Sequence, residues 1–315
     1  MKPLDILIAI TVPIVWGLGL VFAKPAVDQF PPILLMALRF SVSALLLVWF
    51  VRIPRGKLKW LFVAALIGST LQYGLTFNGL KMLDASTTAL IVQSEAPFLT
   101  LVAAIFLGER LRLKQILGMA IAFGGIYLIS GEPRIQGQGL GVALVLSGAF
   151  IWAIGQTMVR RLGEIGGMTA IAWVSVFAAP QLFVASALVE RGQVEALANA
   201  PLSVWATVLY LGLVMTALGY TCWYHVLGRY EVYRVAPFLL MTPVASVLGG
   251  ALLLGEAITA TILLGGAIII SGVALLVIER RPVIAAPMPA PVPVMVPAQG
   301  PGAAHEGSGN STHSV

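Results

Sequence analysis

Charged residues are scarce in this chain. Asp, Glu, Lys and Arg make up only 10% of its 315 residues, whereas 59% are hydrophobic. Ordinary soluble domains carry about 25% charged residues, and the mean hydropathy here is correspondingly high at +0.96. This balance excludes a soluble globular domain and predicts a protein whose main partner is the lipid bilayer.

The residue types that carry most enzyme chemistry are also rare. One cysteine, Cys222, excludes an internal disulfide, and the three histidines are too sparsely placed to predict a metal-binding cluster. No glycine-rich loop ends in Gly-Lys-Ser or Gly-Lys-Thr, the pattern that holds the phosphates of ATP. We therefore expect no cofactor, no metal and no enzymatic activity. The net charge of +6 is spread over short loops, so we do not interpret it as nucleic-acid binding.

Ten apolar segments are long enough to cross a bilayer, which takes about 20 helical residues. Their predicted bounds are 5–24, 32–51, 60–80, 85–107, 113–130, 139–159, 168–189, 202–226, 233–254 and 259–278. The connections are short, so neighbouring helices should run antiparallel. The predicted fold is an all-α polytopic membrane protein with ten transmembrane helices. Residues 281–315, rich first in proline and then in glycine and serine, predict a disordered tail.

Lysine and arginine are distributed unequally between the two sides of the predicted bundle. Fourteen of them lie on the side that holds both termini and four lie on the other side. Because cytoplasmic loops carry the excess of Lys and Arg, this asymmetry predicts that both termini are cytoplasmic. We expect a multi-pass protein of a bacterial cytoplasmic membrane.

The two halves of the chain repeat each other. Trp16 corresponds to Trp152 at a shift of 136, and Tyr73 and Glu109 correspond to Tyr220 and Glu256 at a shift of 147. The predicted repeats are residues 1–134 and 135–280, followed by the tail 281–315. Each repeat holds five helices, an odd number, so the second must insert upside down. Such inverted repeats occur in many secondary transporters, whose sites lie near the midplane.

A carboxylate lies near the middle of the fourth segment. Glu95 would cost roughly 2.5–3.5 kcal/mol there on insertion scales, and Pro97 disturbs the helix beside it. Arg39 is the expected partner, because both residues lie about 10–15 Å from the same surface at 1.5 Å per residue. A buried ion pair that only fixes helix packing is the alternative. Since the second half carries Ser175 and Thr242 instead, we favour a proton-coupling role for Glu95 and Arg39.

Polar and aromatic side chains four residues apart share helix faces in three other segments. These faces suit an amino-acid-like ligand, whose ammonium group could lie against aromatic rings. Interfacial aromatic belts and interhelical glutamine bonds are the alternative. The predicted substrate-binding residues are Trp16, Arg39, Gln72, Tyr73, Gln93, Glu95, Trp152, Gln156, Tyr220 and Tyr224.

Several other residues have two interpretations each. Lys24 could receive a substrate carboxylate or extend to the interface. Glu109 and Glu256 are expected to cap helices or pair with loop residues rather than bind substrate. Six glycines would let helices 5 and 10 pack closely, or could equally form the contacts of a homodimer. They are Gly118, Gly124, Gly125, Gly265, Gly266 and Gly272.

Short motifs over residues 5–280 resemble the drug/metabolite transporter superfamily, EamA family. They are Trp16-Gly17, Arg39-Phe40, Gly108-Glu109-Arg110 and Gly255-Glu256, together with the 5+5 duplication. Residues 228–237 are similar to the matching stretch of exporters in that family that carry O-acetylserine and cysteine. The resemblance implies a central cavity lined by helices 1–4 and 6–9, with helices 5 and 10 peripheral, and export by alternating access.

The sequence therefore predicts a secondary active exporter of small amino-acid-related metabolites. Its energy would come from a gradient, for which protons are the candidate ion. The expected partners are the small-molecule substrate and the lipid bilayer, and a homodimer is possible. An exporter of drugs or nucleobases is the alternative within the same superfamily. A channel and an intramembrane enzyme are remoter alternatives. An enzyme acting on lipid would need its polar groups at an interface, whereas here they gather at the midplane.

Overall fold

A computed structural model describes residues 1–108, 111–132, 137–162, 165–230 and 232–277. Among these residues the secondary structure is entirely helical. The ten predicted transmembrane helices are all present, as spans 1 to 10. They run over Pro3–Val27, Pro32–Phe50, Leu58–Met82, Ala85–Phe106, Leu113–Ser130, Gly139–Val159, Gly167–Val189, Leu202–Val226, Pro237–Leu254 and Ala260–Val277.

The predicted bounds of the spans agree with the structure to within a few residues at nearly every end. The ninth differs most, because the region before Pro237 forms a short helix, Val232–Val235, followed by a 3₁₀ stretch. One further helix, Gln193–Asn199, links spans 7 and 8. The expected tail and the predicted boundary between the repeats lie outside the described residues.

Span 2 ends in a short 3₁₀ stretch, Val48–Phe50. Four other spans depart from regular α-helix, and they do so at comparable places in the two halves of the chain. Span 3 contains a π-helical stretch, Leu66–Leu71, and span 8 contains another, Tyr210–Leu218. Span 4 is broken between Ala85–Val92 and Glu95–Leu107, and span 9 begins with the 3₁₀ stretch Ala236–Leu240 before Met241–Leu254. Such interruptions are frequent at functional sites.

The spans pack in pairs that cross between the two halves. Span 1 packs on span 9 and span 4 on span 6; span 3 packs on span 6 and span 1 on span 8. Span 2 packs on span 7, and span 5 on span 10. When spans 1–5 are exchanged in order with spans 6–10, each of these pairings becomes either itself or another pairing of the same set. Together the spans form one compact unit.

Spans 5 and 10 meet along a seam of glycines. A Cβ atom at Gly125 would lie 2.7 Å from the Gly265 carbonyl oxygen, and one at Gly118 would lie 2.8 Å from that of Gly272. Only glycine permits such close approach of two helix backbones. The close packing predicted for these helices is confirmed. These four glycines are used within one chain, so they are not free to form the contacts of a homodimer.

Several charged side chains of the described residues bind helix ends, and three of them join spans from different parts of the bundle. Glu256 accepts hydrogen bonds from the backbone N–H groups of Ala85 at 2.7 Å and Ser86 at 3.0 Å, and from the Ser86 hydroxyl. Lys24 donates to the carbonyls of Leu80 and Lys81 at the end of span 3. The capping role expected of Glu256 is confirmed, and Lys24 serves a helix C-terminus. Glu109 lies outside the described residues.

The third of these side chains could not be anticipated. Glu190, at the end of span 7, accepts from the N–H groups of Ile33 at 2.7 Å and Leu34 at 3.1 Å, and from the Ser186 hydroxyl at 2.7 Å. A carboxylate here satisfies N–H groups that a helix start leaves without intrahelical partners. It fixes span 2 against span 7, and so helps to hold the wall that carries Arg39.

Candidate substrate cavity

A cavity of about 620 Å³ lies among the spans. Most of its lining is apolar, with residues such as Leu20, Leu99, Met215 and Leu240. The polar and aromatic lining is contributed by Trp16, Arg39, Gln72, Tyr73, Thr76, Phe77, Gln93, Glu95, Trp152, Tyr220 and Thr242. A mostly apolar hollow with a few convergent polar groups is the usual form of a small-molecule site.

The cavity brings together eight of the ten predicted site residues. The other two, Gln156 and Tyr224, are not among its lining residues. Gln156 lies one turn beyond Trp152 on span 6. The ring of Tyr224 lies against Gly167 at the start of span 7, with its centroid 6.1 Å from that of Tyr220. Helical spacing predicted faces that line the cavity, but on spans 6 and 8 it extended them one turn beyond the lining.

The lining spans differ from those implied by the family resemblance. Span 10, expected to be peripheral, contributes Val273, Leu276 and Val277, whereas span 7 contributes no lining residue. The expectation was wrong for these two helices. Span 7 packs on spans 2 and 3 instead, and its Gln181 donates to the Phe62 carbonyl while accepting from Thr70.

The break in span 4 delivers Glu95 to the cavity. Gln93 and Ser94 take 3₁₀-like backbone angles, and the N–H of Ala96 reaches the Gln93 carbonyl at 3.3 Å. Pro97 has no N–H, so it cannot continue the helical ladder to Gln93. The helix restarts at Glu95, whose carboxylate therefore lies in a first turn, where the helix dipole favours negative charge.

The Glu95 side chain is half-buried, and within the described part of the chain it has no hydrogen-bond or ion-pair partner. It therefore points neither into lipid nor into dry packing, since it lines the cavity. A carboxylate in that position is available to a proton or to a cationic ligand. This is the feature on which a transport role for the residue depends.

Arg39 does not form the expected ion pair with Glu95 in this structure. Its side chain is 1% exposed and donates from Nε to the Thr216 hydroxyl at 3.2 Å and from Nη2 to the Tyr73 hydroxyl at 3.4 Å. The guanidinium carbon lies 4.7 Å from the centroid of the Tyr73 ring. Hydroxyl groups and aromatic faces thus hold the cation without a carboxylate. Nη1 also contacts the Met36 sulfur at 3.8 Å, so two of its five N–H groups have no hydrogen-bond acceptor in the described structure.

Thr216 is a functional candidate that sequence reasoning missed. It lies in the π-helical stretch of span 8, where its hydroxyl donates to the Leu211 carbonyl five residues earlier at 2.8 Å and accepts from Arg39. In an α-helix a threonine hydroxyl bonds to a carbonyl at most four residues earlier, so this bond spans one additional residue. No residue pattern in the sequence signals a π-helix, so spacing alone could not place Thr216 beside Arg39.

Aromatic rings form another part of the wall. The Trp16 ring lies 5.0 Å from Tyr220 and 5.9 Å from Trp223, measured between centroids. Trp16 Nε1 donates to the Met215 carbonyl at 3.0 Å, again within the π-helical stretch. Trp16 therefore lies inside the bundle rather than in an interfacial belt. Its ring and that of Tyr220 both line the cavity.

One amide beside the cavity is incompletely paired. Gln72 is 3% exposed and donates from Nε2 to Thr76 at 3.2 Å, but its Oε1 atom is buried without a partner in the described structure. An unpaired buried acceptor costs about 1–3 kcal/mol. Both residues line the cavity, so the group is placed to gain a donor when the local packing changes.

Comparison with known proteins agrees with this architecture. The EamA-like transporter family matches the chain twice, over residues 4–131 and 139–278. A probable amino-acid metabolite efflux pump of Escherichia coli is 32% identical over 278 residues, which cover 85% of this chain and 93% of that protein. A probable terminal-alkyne amino-acid exporter of Streptantibioticus cattleyicolor is 31% identical over 239 residues, covering 73% and 76% respectively.

A solved crystal structure shares the fold. It superposes with a TM-score of 0.61 at 19% identity, over 87% of this chain and 96% of that one. At this identity the likeness concerns the fold alone. The family match spans both halves of the chain and accounts for its ten apolar helices. The chain thus belongs to the EamA-like transporter family, and it is a multi-pass transporter of the cell membrane rather than an enzyme.

Proposed function

We propose that this protein exports small amino-acid-related metabolites, such as O-acetylserine and cysteine, in exchange for protons. The observation that carries the proposal is the unpaired Glu95 carboxylate on a cavity of about 620 Å³ that also holds Arg39 and aromatic rings. Two relatives bear names that refer to amino-acid metabolites or amino acids. The cavity is large enough for such molecules.

The cavity offers complementary groups for both ends of an amino acid. The free N–H groups of Arg39 suit a carboxylate, because a guanidinium binds that group through two parallel hydrogen bonds. The Glu95 carboxylate and the faces of Trp16 and Tyr220 suit an ammonium group. A zwitterion would thus be bound at both ends, whereas a simple amine or acid would satisfy only one.

Proton coupling follows from competition for Glu95. Substrate ammonium and a proton cannot both occupy the same carboxylate, so binding of one favours release of the other. A transient pair with Arg39 would stabilise the ionised form between these two events. Exchange of a proton for a substrate then moves the substrate against its gradient, using the proton gradient.

Alternating access would come from two inverted five-span repeats, with both termini in the cytoplasm. Three observations support the repetition of the two halves: the family matches the chain twice, the pairings of spans exchange between the halves, and helix interruptions recur at comparable positions. The distribution of Lys and Arg supports cytoplasmic termini. Rocking of one repeat against the other would expose the cavity to each side in turn.

The test is transport in proteoliposomes with an imposed pH gradient. The wild-type protein should accumulate radiolabelled O-acetylserine against its gradient. Glu95→Gln should lower this accumulation at least tenfold while retaining exchange of internal for external substrate, because the amide keeps hydrogen bonding but cannot ionise. Glu195→Gln, at an exposed position outside the cavity, is the matched control. Undiminished accumulation by Glu95→Gln would contradict the proposal.

A drug or nucleobase exporter is a second candidate, favoured by the apolar lining formed by residues such as Leu20, Leu99 and Met215. The two candidates differ in what protects cells that overproduce the protein. Resistance confined to toxic amino-acid analogues supports the first function. Resistance to cationic dyes or purine analogues without protection against amino-acid analogues supports the second.

A further inference from the structure

One connection between spans is unlike the others in charge. Residues 51–59, which we call the basic loop, contain Arg52, Arg55, Lys57 and Lys59 and no acidic residue. On the same side of the protein, the four other stretches with two or more cations each contain a glutamate. Those stretches are 108–114, 160–164, 228–234 and 279–281. The basic loop therefore carries the strongest uncompensated charge on that side.

Large aromatic side chains border the basic loop and are exposed. Trp49 is 80% exposed and Phe50 is 77% exposed, both at the end of span 2, and Trp60 is 50% exposed at the start of span 3. Such residues lie at the level of the lipid headgroups in membrane proteins. The Lys59 ammonium lies 5.4 Å from the centroid of the Trp60 ring, so a cation lies next to an interfacial ring.

The basic loop has a defined conformation. The N–H of Lys57 donates to the Pro54 carbonyl at 3.0 Å, and Gly56 takes a positive φ of 81° that completes the turn. Trp173 Nε1 on span 7 donates to the Arg52 carbonyl at 3.2 Å. The first three cations thus lie in a fixed turn and Lys59 lies in the first turn of span 3, and the side chains at positions 52, 55 and 59 are exposed.

We propose that the basic loop binds the headgroup of an anionic phospholipid. The positive charge of the basic loop favours an anionic ligand. The exposed rings of Trp49, Phe50 and Trp60 favour an anion that carries acyl chains. A soluble phosphate would use the cations but leave these rings without a partner. Each Lys or Arg near an anionic surface strengthens binding about fivefold. The proposal does not depend on the transported substrate.

The test uses full-length protein in nanodiscs of phosphatidylcholine with increasing phosphatidylglycerol. Native mass spectrometry counts retained lipids, and thermal unfolding reports stabilisation. We expect preferential retention of phosphatidylglycerol that weakens roughly thirtyfold in Arg55→Gln/Lys59→Gln, because two contributing charges are removed. Arg112→Gln/Lys114→Gln, which removes two cations from another loop on the same side, should retain most of the preference.

Two further measurements separate the sources of the effect. Trp49→Ala leaves the charge unchanged, so we expect it to weaken phosphatidylglycerol retention while preserving its salt dependence. Glycerol 3-phosphate, which has the anion without acyl chains, should not compete at millimolar concentration. Equal losses in the two charge-removal variants, effective competition by glycerol 3-phosphate, or equal retention of both lipids would each overturn the proposal.

Discussion

At the residue scale, the cavity combines one unpaired carboxylate with one well-held cation. Glu95 lies at the restart of span 4, and Arg39 is bound to Thr216 and Tyr73. Their different environments suit different roles, since a group that changes protonation needs access and a group that orients a ligand needs fixed geometry. The two residues need not contact each other in every conformation of the protein.

Thr216 should position Arg39. Replacing it by valine keeps the shape but removes the acceptor of the Arg39 Nε bond. We expect Thr216→Val to raise the substrate concentration needed for half-maximal transport roughly three- to tenfold, in line with about 1 kcal/mol for one hydrogen bond. Thr216→Ser should restore the wild-type value. Uptake measured against substrate concentration checks both variants.

The control for this experiment lies on the same span. Thr207 donates to the Ser203 carbonyl one turn earlier and is not among the cavity residues. Thr207→Val should leave the half-maximal concentration unchanged. If Thr216→Val transports like the wild type, Thr216 has no influence on the position of Arg39.

At the element scale, the ten apolar runs could be predicted from the sequence because a bilayer demands their length and hydropathy. Faces carrying Trp16, Gln72 and Trp152 could be predicted because side chains follow the helical period. The π-helical stretches could not be predicted, because the change to hydrogen bonds between residues five apart leaves no signal in the composition. Thr216 was missed for the same reason. Span 10 lines the cavity beside spans 4 and 9, with which it is in contact, and only coordinates reveal this packing.

The seam between spans 5 and 10 should tolerate substitution at one glycine and not at its neighbour. Gly125→Leu would drive a side chain into the Gly265 carbonyl and Ile269, so we expect a loss of several kcal/mol in the free energy of unfolding. Gly124→Leu faces open space, since a Cβ atom added there would have no neighbouring atom within 4 Å, and should change stability little. Thermal unfolding in detergent compares the two variants, and an equal loss in both would contradict the seam.

Carboxylate caps should contribute measurably to the joining of spans. Glu256→Gln would weaken the bonds from Ala85 and Ser86 by removing their charge, so we expect about 1–2 kcal/mol of destabilisation. Because Glu256 lies outside the cavity lining, substrate affinity should change far less than thermal stability. Glu195→Gln, at an exposed position, is the control. A larger loss of stability in Glu195→Gln than in Glu256→Gln would contradict the capping role of Glu256.

At the scale of the whole molecule, contacts join the two halves at both ends of the bundle. At one end, Asp5 is 4% exposed and accepts from the Tyr230 hydroxyl at 2.7 Å, with His225 at 3.2 Å and Arg229 at 3.7 Å. At the other end, Glu190 binds the start of span 2. Rocking between the halves would have to break these contacts in alternation.

The Asp5 contacts should therefore hold their end of the protein closed. Asp5→Asn weakens the interactions with His225 and Arg229, so we expect severalfold faster labelling of a cysteine introduced at Leu276 in a Cys222→Ser background. Asp28→Asn, at the opposite end of span 1, is the control. Unchanged labelling in Asp5→Asn would show that these contacts do not restrict access to the cavity.

Glu95 should release its proton when substrate binds in the cavity. The most direct measurement is the pH change of a weakly buffered solution when O-acetylserine is added to the purified transporter in detergent. The wild-type protein should release up to about one proton for each substrate bound, and Glu95→Gln should bind substrate without releasing any. Equal proton release by the two proteins would contradict the account.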